Sequence, residues 1–561
     1  MSESGTARTA APGSTGPLPL VIGVVGHRHL EPADYPLYCS RVRELFAYLR
    51  TRYPSTPLRV LSALAEGADR LVADVALDEG CEVLAPLPMP VAEYERDFPG
   101  SLEEFRALRA RIPPGNVFVV PPPAGLNPAA SAQDWRDAHY REVGIYVAGQ
   151  CHLLLALWDG VRSVAVAGTA EIVRFKLEGL IHSDDRALDS DDCGPVYHVL
   201  APRAGSGGRA DAPAKWLFPS DASATLLRTV CLRIDRFNRD ALRIPVPESL
   251  RADAAGLLPQ LRERSAADRE LAGTFAAADT LARGYQRLTH AVLRLVIWLA
   301  VALALTFEVY AELLPRRELP VLYLAIFASI ATLYLWQKRL DAQGRYLDYR
   351  ALAEALRVQF YWRLAGLTES AAASYLRKQV DELRWIRDAL RGANALPPPL
   401  QPRPDLVQEQ WVKGQAHYYR SRAEQLMARI RRVEHFSAVC LGIGLLATAA
   451  LVVFWHQIDS LGHQVHPWLV LVMGFAPIAA ALCEAYGERF GIRSQAHQYS
   501  RFSAIFARAE AAIERLEALP DTPERIHTEQ ALLGELGREA LMENGDWVLL
   551  LRDRPIALPK G

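Results

Sequence analysis

Glycine-rich and polar segments follow several apolar runs in the first 200 residues, and their residue types suit the binding of a phosphorylated ligand. Glycine lets a backbone approach a phosphate closely, and the free N–H groups at the start of a helix favour an anion. A guanidinium pairs with phosphate, and an aromatic ring stacks on a base. The candidate binding residues are Gly26, His27, Arg28, Glu66, Gly67, Ala68, Asp69, Trp158, Asp159, Gly160, Gly168, Thr169 and Glu171.

Five of these side chains have a specific expected contact. Arg28 is the candidate phosphate partner, and Trp158 is the candidate platform for a base. Asp69 or Asp159 can accept hydrogen bonds from ribose hydroxyls. Thr169 can cap the helix that begins there and donate to a phosphate oxygen.

Each candidate also has an ordinary structural explanation. Gly67 can serve a tight strand–helix turn, with Asp69 as the cap of the following helix. Gly168 can simply begin a helix, Trp158 can pack in the core, and His27 can be a solvated loop residue. The hypothesis of a binding site therefore depends on whether these residues lie together.

The elements that would bring them together are short apolar runs alternating with helical patterns. Continuous apolar runs of this length predict parallel strands that are buried on both faces, and hence an α/β fold. Ligands of such sheets bind outside the carboxyl ends of the strands, where the candidate residues fall. The runs are Leu18–Val25, Leu58–Leu64, Cys81–Leu87, Val117–Val120, Cys151–Leu157 and Val196–Leu200.

Composition predicts the limits of this first domain. Residues 1–17 form a Ser/Gly/Ala-rich tail, which is expected to be disordered and carries no secretory signal peptide. The α/β domain is expected over 18–245, with a Gly/Ala-rich linker or loop near 203–215. An amphipathic helix over 220–245 closes it.

The C-terminal half changes to long helical patterns with four apolar segments. Leu319–Gln337, Phe436–Ile458 and Ser460–Cys483 contain no charged side chain, and each is long enough to cross a bilayer. The fourth, Ala291–Tyr310, is weaker because it contains Arg294 and Glu308. The sequence thus predicts an all-α membrane region with four transmembrane helices and long cytoplasmic helices. The expected spans are 289–312, 319–337, 436–457 and 464–484.

Charges around these segments predict their orientation. Lys and Arg cluster before the first span, after the second, before the third and after the fourth. Because positive residues stay on the cytoplasmic side, both termini are expected in the cytoplasm and both short hairpins outside. Arg316 and Arg317, in the first hairpin, are a minor exception.

Other function classes are excluded by composition and motif. The net charge of −1 gives no field that would recruit nucleic acid. The seven Cys are dispersed, which argues against a disulfide framework and for a reducing compartment. The sequence contains no Walker A motif, and its Cys and His spacing shows no metal site. Neither a metal nor a cofactor is expected.

Four motifs in the same order resemble the SLOG superfamily, the Rossmann-like group named after Smf and the Lonely Guy enzymes. They are GVVGHR, LSALAEGADRLVA, LLALWDG and GTAEIV, within residues 18–205. The resemblance implies a nucleotide-binding domain. Some members are phosphoribohydrolases that act on nucleoside monophosphates, whereas others only sense nucleotides such as ADP-ribose and its cyclic relatives.

One departure from the family bears on catalysis. Lonely Guy enzymes carry a P-G-G-x-G-T-x-x-E run with a catalytic Glu, whereas this sequence has AVAGTAE. The Pro–Gly pair is absent, and Glu171 comes one residue early, which is about 100° of rotation on a helix. Phosphate binding by Gly168 and Thr169 is expected to survive this change, but hydrolysis is not, and no catalytic residue is assigned.

The helical half resembles SLATT domains, two-helix membrane modules that accompany SLOG domains in bacterial conflict systems. A membrane hairpin is followed by YRALAEALRVQFYW in the first copy, and a second hairpin by a long helix with a late Trp547. The two copies are expected over 260–398 and 405–555. The resemblance implies a membrane effector.

The two resemblances together imply a nucleotide sensor coupled to a pore-forming, homo-oligomeric effector in an antiphage system. Its partners would be a small nucleotide signal and the lipid bilayer, and its location the bacterial inner membrane. One alternative is a membrane-tethered phosphoribohydrolase that uses Arg28, Asp69 and Glu171. The other is a scaffold that binds no ligand.

Overall fold

A computed structural model defines the fold. The described residues are 17–122, 131–161, 168–179, 193–205, 212–244, 257, 264–375, 383–398, 401–460, 465–489, 491–520 and 522–552. The expected tail up to residue 16 and the middle of the loop at 203–215 lie outside them. The chain divides into two compact units, Met1–Ala278 with Leu352–Arg403, and Asp279–Ala351 with Pro404–Gly561. Each unit is described by itself.

The first unit is built on a seven-stranded sheet, which confirms the predicted α/β class. The strand order is β4-β3-β2-β1-β5-β6-β7, and all neighbouring pairs are parallel except β6 with β7. The strands are β1 (Leu20–Gly26), β2 (Leu58–Leu61), β3 (Glu82–Leu87), β4 (Val117–Val119), β5 (Leu153–Trp158), β6 (Val196–Leu200) and β7 (Lys215–Leu217). The first six correspond to the predicted apolar runs, whereas β7 was expected to be loop.

Helices cover both faces of this sheet, as the continuous apolar strands require. Alternate residues of β1 point into different cores: Leu20 and Ile22 into one, and Val21 into the other. The helices that precede the second unit are α1 (Tyr35–Arg52), α2 (Ala68–Asp78), α3 (Val91–Tyr94), α4 (Leu102–Ala110), α5 (Ala132–Gln150), α6 (Thr169–Glu178) and α7 (Asp221–Leu242). Buried side chains of α1, α2 and α4 complete the first core, and those of α5 and α6 complete the second.

The first unit also contains later segments of the chain, so its limits differ from the expected boundaries 18–245 and 260–398. A buried guanidinium shows why. Arg59 of β2 donates to Glu82 of β3 at 2.8 Å, to Glu270 at 2.6 Å and to the carbonyl oxygen of Ala395 at 3.3 Å. These contacts attach Glu270 and Ala395, which are more than 200 positions from Arg59 in the sequence, to the sheet. A local sequence pattern cannot predict them.

Removing the charges around Arg59 is expected to destabilise the sheet. The double substitution Glu82→Gln with Glu270→Gln leaves a buried cation without a counter-charge, which costs several kcal/mol when no water reaches it. Because both carboxylates are partly exposed, we expect a loss of about 2–3 kcal/mol, read from amide hydrogen exchange of β2. Glu44→Gln, which breaks an exposed ion pair with Arg41, should change the free energy of opening of β2 by less than about 0.5 kcal/mol. Equal effects of the two changes would contradict this assignment.

The second unit is all-helical over the residues described, again as predicted. Four helical segments are long and apolar enough to cross a membrane: Ala266–Glu312, Glu318–Leu364, Pro404–Val453 and His466–Ala485. The first two predicted spans fall within these segments, whereas the third extends four residues beyond Val453 and the fourth begins two residues before His466. The helices from residue 266 onward, including those that return to the first unit, are α8 (Ala266–Glu312), α9 (Glu318–Leu340), α10 (Ala342–Leu364), α11 (Ala371–Ser374), α12 (Arg384–Asn394), α13 (Pro404–Val407), α14 (Gly414–Val453), α15 (Trp455–Ser460), α16 (His466–Arg489), α17 (Ile492–Glu517) and α18 (Pro523–Arg552).

Close packing joins the third and fourth spans. A Cβ placed on Gly444 of α14 would lie 3.3 Å from Pro477 Cδ and 3.4 Å from Ala476 Cβ of α16. About two turns earlier, the Ser437 hydroxyl donates to the carbonyl oxygen of Ala480 at 3.2 Å. A small residue at the contact and a hydroxyl bond across it are both typical of helix pairs in lipid. These four helical segments make the chain a candidate multi-pass membrane protein.

Candidate functional site

The strand order places a crevice where the sequence analysis expected one. The chain reaches β4 at one edge and then returns to place β5 beside β1, so the helices after these two strands cover opposite faces of the sheet. Ligands of open parallel sheets bind at this switch point, outside the carboxyl ends of the two strands. Here those ends are Gly26 and Trp158, and the backbone N–H of His27 donates to the carbonyl oxygen of Leu157 at 3.1 Å.

The N-terminus of α2 lies directly against the end of β1. The backbone N–H of Ala68 donates to the carbonyl oxygen of His27 at 3.1 Å. Gly67 has a positive φ of 74°, and a Cβ there would collide with the carbonyl oxygens of His27 and Arg28. The turn itself therefore requires glycine at position 67, which is the ordinary structural explanation for this residue. The same turn brings the N-terminus of α2, which has no side-chain cap, to the crevice.

The N-terminus of α6 reaches the same point from the other side of the sheet. Gly168 is its N-cap and no side chain caps it, so the expected capping by Thr169 is wrong. Thr169 is the first helical residue, and its hydroxyl instead donates to the carbonyl oxygen of Gly26 at 2.9 Å. That proton is already used, so Thr169 can offer a ligand only its lone pairs. Its hydrogen bond fixes the start of α6 over the end of β1.

His27 and Asp159 form a polar pair across the switch point. His27 Nε2 lies 3.1 Å from Asp159 Oδ2 and 3.3 Å from the Asp159 backbone nitrogen. Burial lowers the pKa of His27, although the Asp159 carboxylate opposes this shift. The neutral imidazole can accept from the Asp159 N–H. Arg203, which the sequence analysis did not single out, has its Nε 3.5 Å from Asp159 Oδ2.

Arg28 presents an exposed guanidinium beside this pair. Its Cζ lies 4.7 Å from the centre of the Tyr140 ring, a cation–π contact that orients the side chain. The Tyr140 hydroxyl donates to Asp97 at 2.6 Å, and Arg136 lies 3.0 Å from the same carboxylate. Within the described residues Arg28 has no ion pair of its own, so its charge is open to an anion. Tyr140 and Asp97 were missed because nothing in the sequence near them marks a strand end.

Asp69 is a buried carboxyl group in the first turn of α2. It is 8% exposed, and this burial raises its pKa to about 7. The backbone N–H groups of Ala65 and Ala63 and the charge of Arg28 stabilise the carboxylate and partly oppose the rise in pKa. The N-cap of α2 is Gly67, and the Asp69 side chain makes no capping hydrogen bond. Asp69 is therefore not the helix cap that the alternative explanation expected. The carboxyl group therefore exchanges a proton near neutral pH.

This shift predicts a pH-dependent stability. Between about pH 4 and 7 the folded chain keeps a proton on Asp69 that the unfolded chain has released. The contribution of protonated Asp69 to the free energy of unfolding is therefore complete below pH 4. It is lost as the pH rises toward 7, by at most about 1.4 kcal/mol per pH unit. In Asp69→Asn this loss of stability between about pH 4 and 7 should vanish, as measured by amide hydrogen exchange of β2. The exposed Asp74→Asn on the same helix is the control, and identical profiles for wild type and Asp69→Asn would refute the assignment.

The remaining candidates do not present free groups to the crevice. Glu66 accepts a hydrogen bond from Ser101, and Glu171 accepts one from Arg141 at 2.9 Å. Trp158 is 8% exposed and packs against His198, with 5.4 Å between ring centres. Its ring belongs to the core and is not available to stack on a base, which corrects the expected role. Gly160, with a φ of 80°, turns the chain after β5.

No group of three or more His, Cys, Asp or Glu side chains in the described residues is arranged to hold a metal ion. The chemistry that the crevice offers is instead that of anion recognition. It combines one open guanidinium, two helix N-termini without side-chain caps and a carboxyl group that is half protonated near pH 7.

No family model, curated protein or solved structure matches this chain. The resemblance to SLOG and SLATT domains therefore stays a prediction. The function has to be inferred from the fold and from the geometry of the crevice.

Proposed function

We propose that this protein is a membrane-bound sensor whose α/β unit binds a small nucleotide and whose helical unit responds to it. The supporting observation is the convergence of Arg28 with the uncapped starts of α2 and α6 at the β1/β5 switch point. Helix N-termini and an unpaired guanidinium both favour phosphate. The phosphate would lie between Arg28 and α6, and the Asp159 carboxylate would accept from a ribose hydroxyl.

The four candidate spans support an effector role for the other unit. Four helices per chain enclose little space, so a pore would need several copies, and we include homo-oligomerisation in the proposal. A SLATT-like response in a bacterial inner membrane, directed against phage, is the setting that the resemblance implies. The nucleotide can drive opening only through its different affinities for the closed and open states, and a full switch takes about 5 kcal/mol.

Orientation is a separate part of the proposal. We expect both termini in the cytoplasm, because Lys and Arg flank the spans on that side. In a variant without native Cys, Leu314→Cys in the first hairpin should react with an impermeant maleimide in intact cells. Gln425→Cys, in the part of α14 before the apolar run, should react only after lysis. The opposite pattern would reverse the assigned topology.

One observation favours an enzyme as the second candidate. A carboxyl group with a pKa of about 7, as at Asp69, is suited to general acid–base chemistry near neutral pH. Such an enzyme would be a membrane-tethered phosphoribohydrolase. Glu171, however, is held by Arg141 at 2.9 Å. Release of free base from a nucleoside monophosphate would identify this activity.

The test is a thermal-shift screen of the full-length protein in lipid nanodiscs. The full chain is needed because Leu352–Arg403 belongs to the same compact unit as the sheet, and the fragment 18–245 would lack it. The panel holds ADP-ribose, its cyclic forms, cyclic dinucleotides and nucleoside monophosphates, with products read by chromatography. A shift with intact ligand supports the sensor, and free base supports the enzyme. No shift with any nucleotide would favour a scaffold and contradict the proposal.

A further inference from the structure

One face of α14 changes from basic to apolar over three turns. Six residues spaced three or one apart line an open groove of about 700 Å³, which we call the α14 groove: Ala428, Arg431, Arg432, His435, Phe436 and Val439. This spacing places all six on one side of the helix. The groove therefore has a cationic end and an apolar end along a single helical stripe.

Its position in the candidate membrane span fixes the depth of the charges. The charge-free run begins at Phe436, so Arg431 and Arg432 lie about 6–8 Å before the hydrocarbon at 1.5 Å per residue. A bilayer whose core is about 30 Å thick measures about 40–45 Å with its headgroups, which leaves about 5–7 Å of headgroup on each side. The two guanidinium groups thus lie at the level of lipid phosphates.

Neither of these two charges is neutralised by a residue in the described ranges. Arg431 has no ion pair in the described part of the chain, and Arg432 donates only weakly to the Ala428 carbonyl oxygen of its own helix, at 3.4 Å. Arg493, near the cytoplasmic end of the fourth span, is instead paired with Glu434 at 2.7 Å. The groove therefore needs an anion from outside the chain.

The apolar end of the groove selects the kind of anion. Phe436 is 53% exposed and Val439 is 45% exposed. A free phosphate would pair with the arginines but would make no contact with these two side chains. An amphiphile with an anionic phosphate and acyl chains covers both ends at once.

We propose that the α14 groove is a binding site for an anionic phospholipid, with its phosphate between Arg431 and Arg432 and an acyl chain along Phe436 and Val439. Each basic residue near a membrane surface strengthens the binding of anionic lipid by about fivefold. Two of them predict a preference of about thirtyfold for phosphatidylglycerol over phosphatidylcholine. This inference rests on the candidate membrane span and not on the nucleotide site.

The test counts lipids bound to the full-length protein in detergent micelles by native mass spectrometry. Phosphatidylglycerol and phosphatidylcholine with the same acyl chains are titrated against wild type and against Arg431→Gln with Arg432→Gln. The double variant should lose the thirtyfold preference. The matched control, Arg420→Gln with Arg422→Gln, removes the same charge from α14 roughly 20 Å or more before the apolar run and should keep it.

Further variants separate the site from its alternatives. Arg431→Lys with Arg432→Lys keeps the charge and should keep the preference within about threefold, which guards against a loss caused by misfolding. Phe436→Ala should weaken both lipids alike. Retained preference in the Gln variant, equal loss in the control, or displacement of phosphatidylglycerol by equimolar inorganic phosphate would each overturn the proposal.

Discussion

Gly67→Ala is expected to lower the free energy of opening of β1 and β2 by about 3 kcal/mol or more. The new Cβ would meet the carbonyl oxygens of His27 and Arg28, which are backbone atoms held by the sheet and cannot step aside. Overpacking of this kind costs about 1–3 kcal/mol, and a positive φ adds about 1–2 kcal/mol for a residue with a side chain. Amide hydrogen exchange of the two strands in the full-length protein measures the effect.

Gly80 supplies the matched control for this prediction. It has nearly the same backbone conformation, with a φ of 69°, but a Cβ there meets no atom within 4 Å. Gly80→Ala should therefore show only the cost of the positive φ, partly offset by the lower entropy of the unfolded chain, or about 1 kcal/mol. Equal losses in the two variants would mean that the close approach of α2 to β1 does not matter.

Arg28→Ala is expected to weaken binding of the proposed nucleotide ligand by about 10–100-fold. Charge-assisted hydrogen bonds to phosphate contribute about 1.5–3 kcal/mol, and each 1.4 kcal/mol is a factor of ten in affinity. Little stability should be lost, because the guanidinium is exposed and its close contact in the described part of the chain is with the Tyr140 ring. The dissociation constant in nanodiscs, measured at low and high salt, tests this: the salt dependence should fall together with the affinity.

Arg52→Ala is the control for the phosphate contact. Arg52 is exposed at the C-terminal end of α1, which lies at the edge of the sheet opposite the crevice. Removing it changes the net charge equally but should leave the affinity unchanged. Arg28→Lys, which keeps the charge but cannot form a bidentate contact with phosphate, should have an intermediate affinity. Wild-type affinity in Arg28→Ala would exclude Arg28 from the site.

The α/β class and the four spans could be predicted because both depend on continuous apolar runs. β5, for example, is apolar at every position, as a central parallel strand must be. β7 was missed because it has three residues, follows a Gly/Ala-rich segment and owes its existence to pairing with β6. The joining of later segments to the first compact unit could not be predicted for a similar reason, since contacts such as Arg59 with Glu270 depend on tertiary structure.

The location of the candidate site was predictable, but the contacts of its side chains were not. The rule for parallel sheets predicts Arg28, Asp69 and Asp159 beyond the strand ends. The structure has Arg28 and Asp159 directly after β1 and β5, and Asp69 in the first turn of the helix that follows β2. Whether a side chain is free depends on neighbours that are distant in sequence. Trp158 is covered by His198, and the Thr169 hydroxyl is taken by the carbonyl oxygen of Gly26.

Both margins of the seven-stranded sheet are short, and this limits how copies of the protein can join. The outermost strands, β4 and β7, have three residues each, so few unpaired backbone groups face outward. Pro121 and Pro122 soon follow β4, and proline cannot donate to a new ladder. Continuous sheets running from one copy to the next are therefore disfavoured. Copies that associate through the α/β unit would therefore be joined by side-chain contacts and not by backbone hydrogen bonds between sheets.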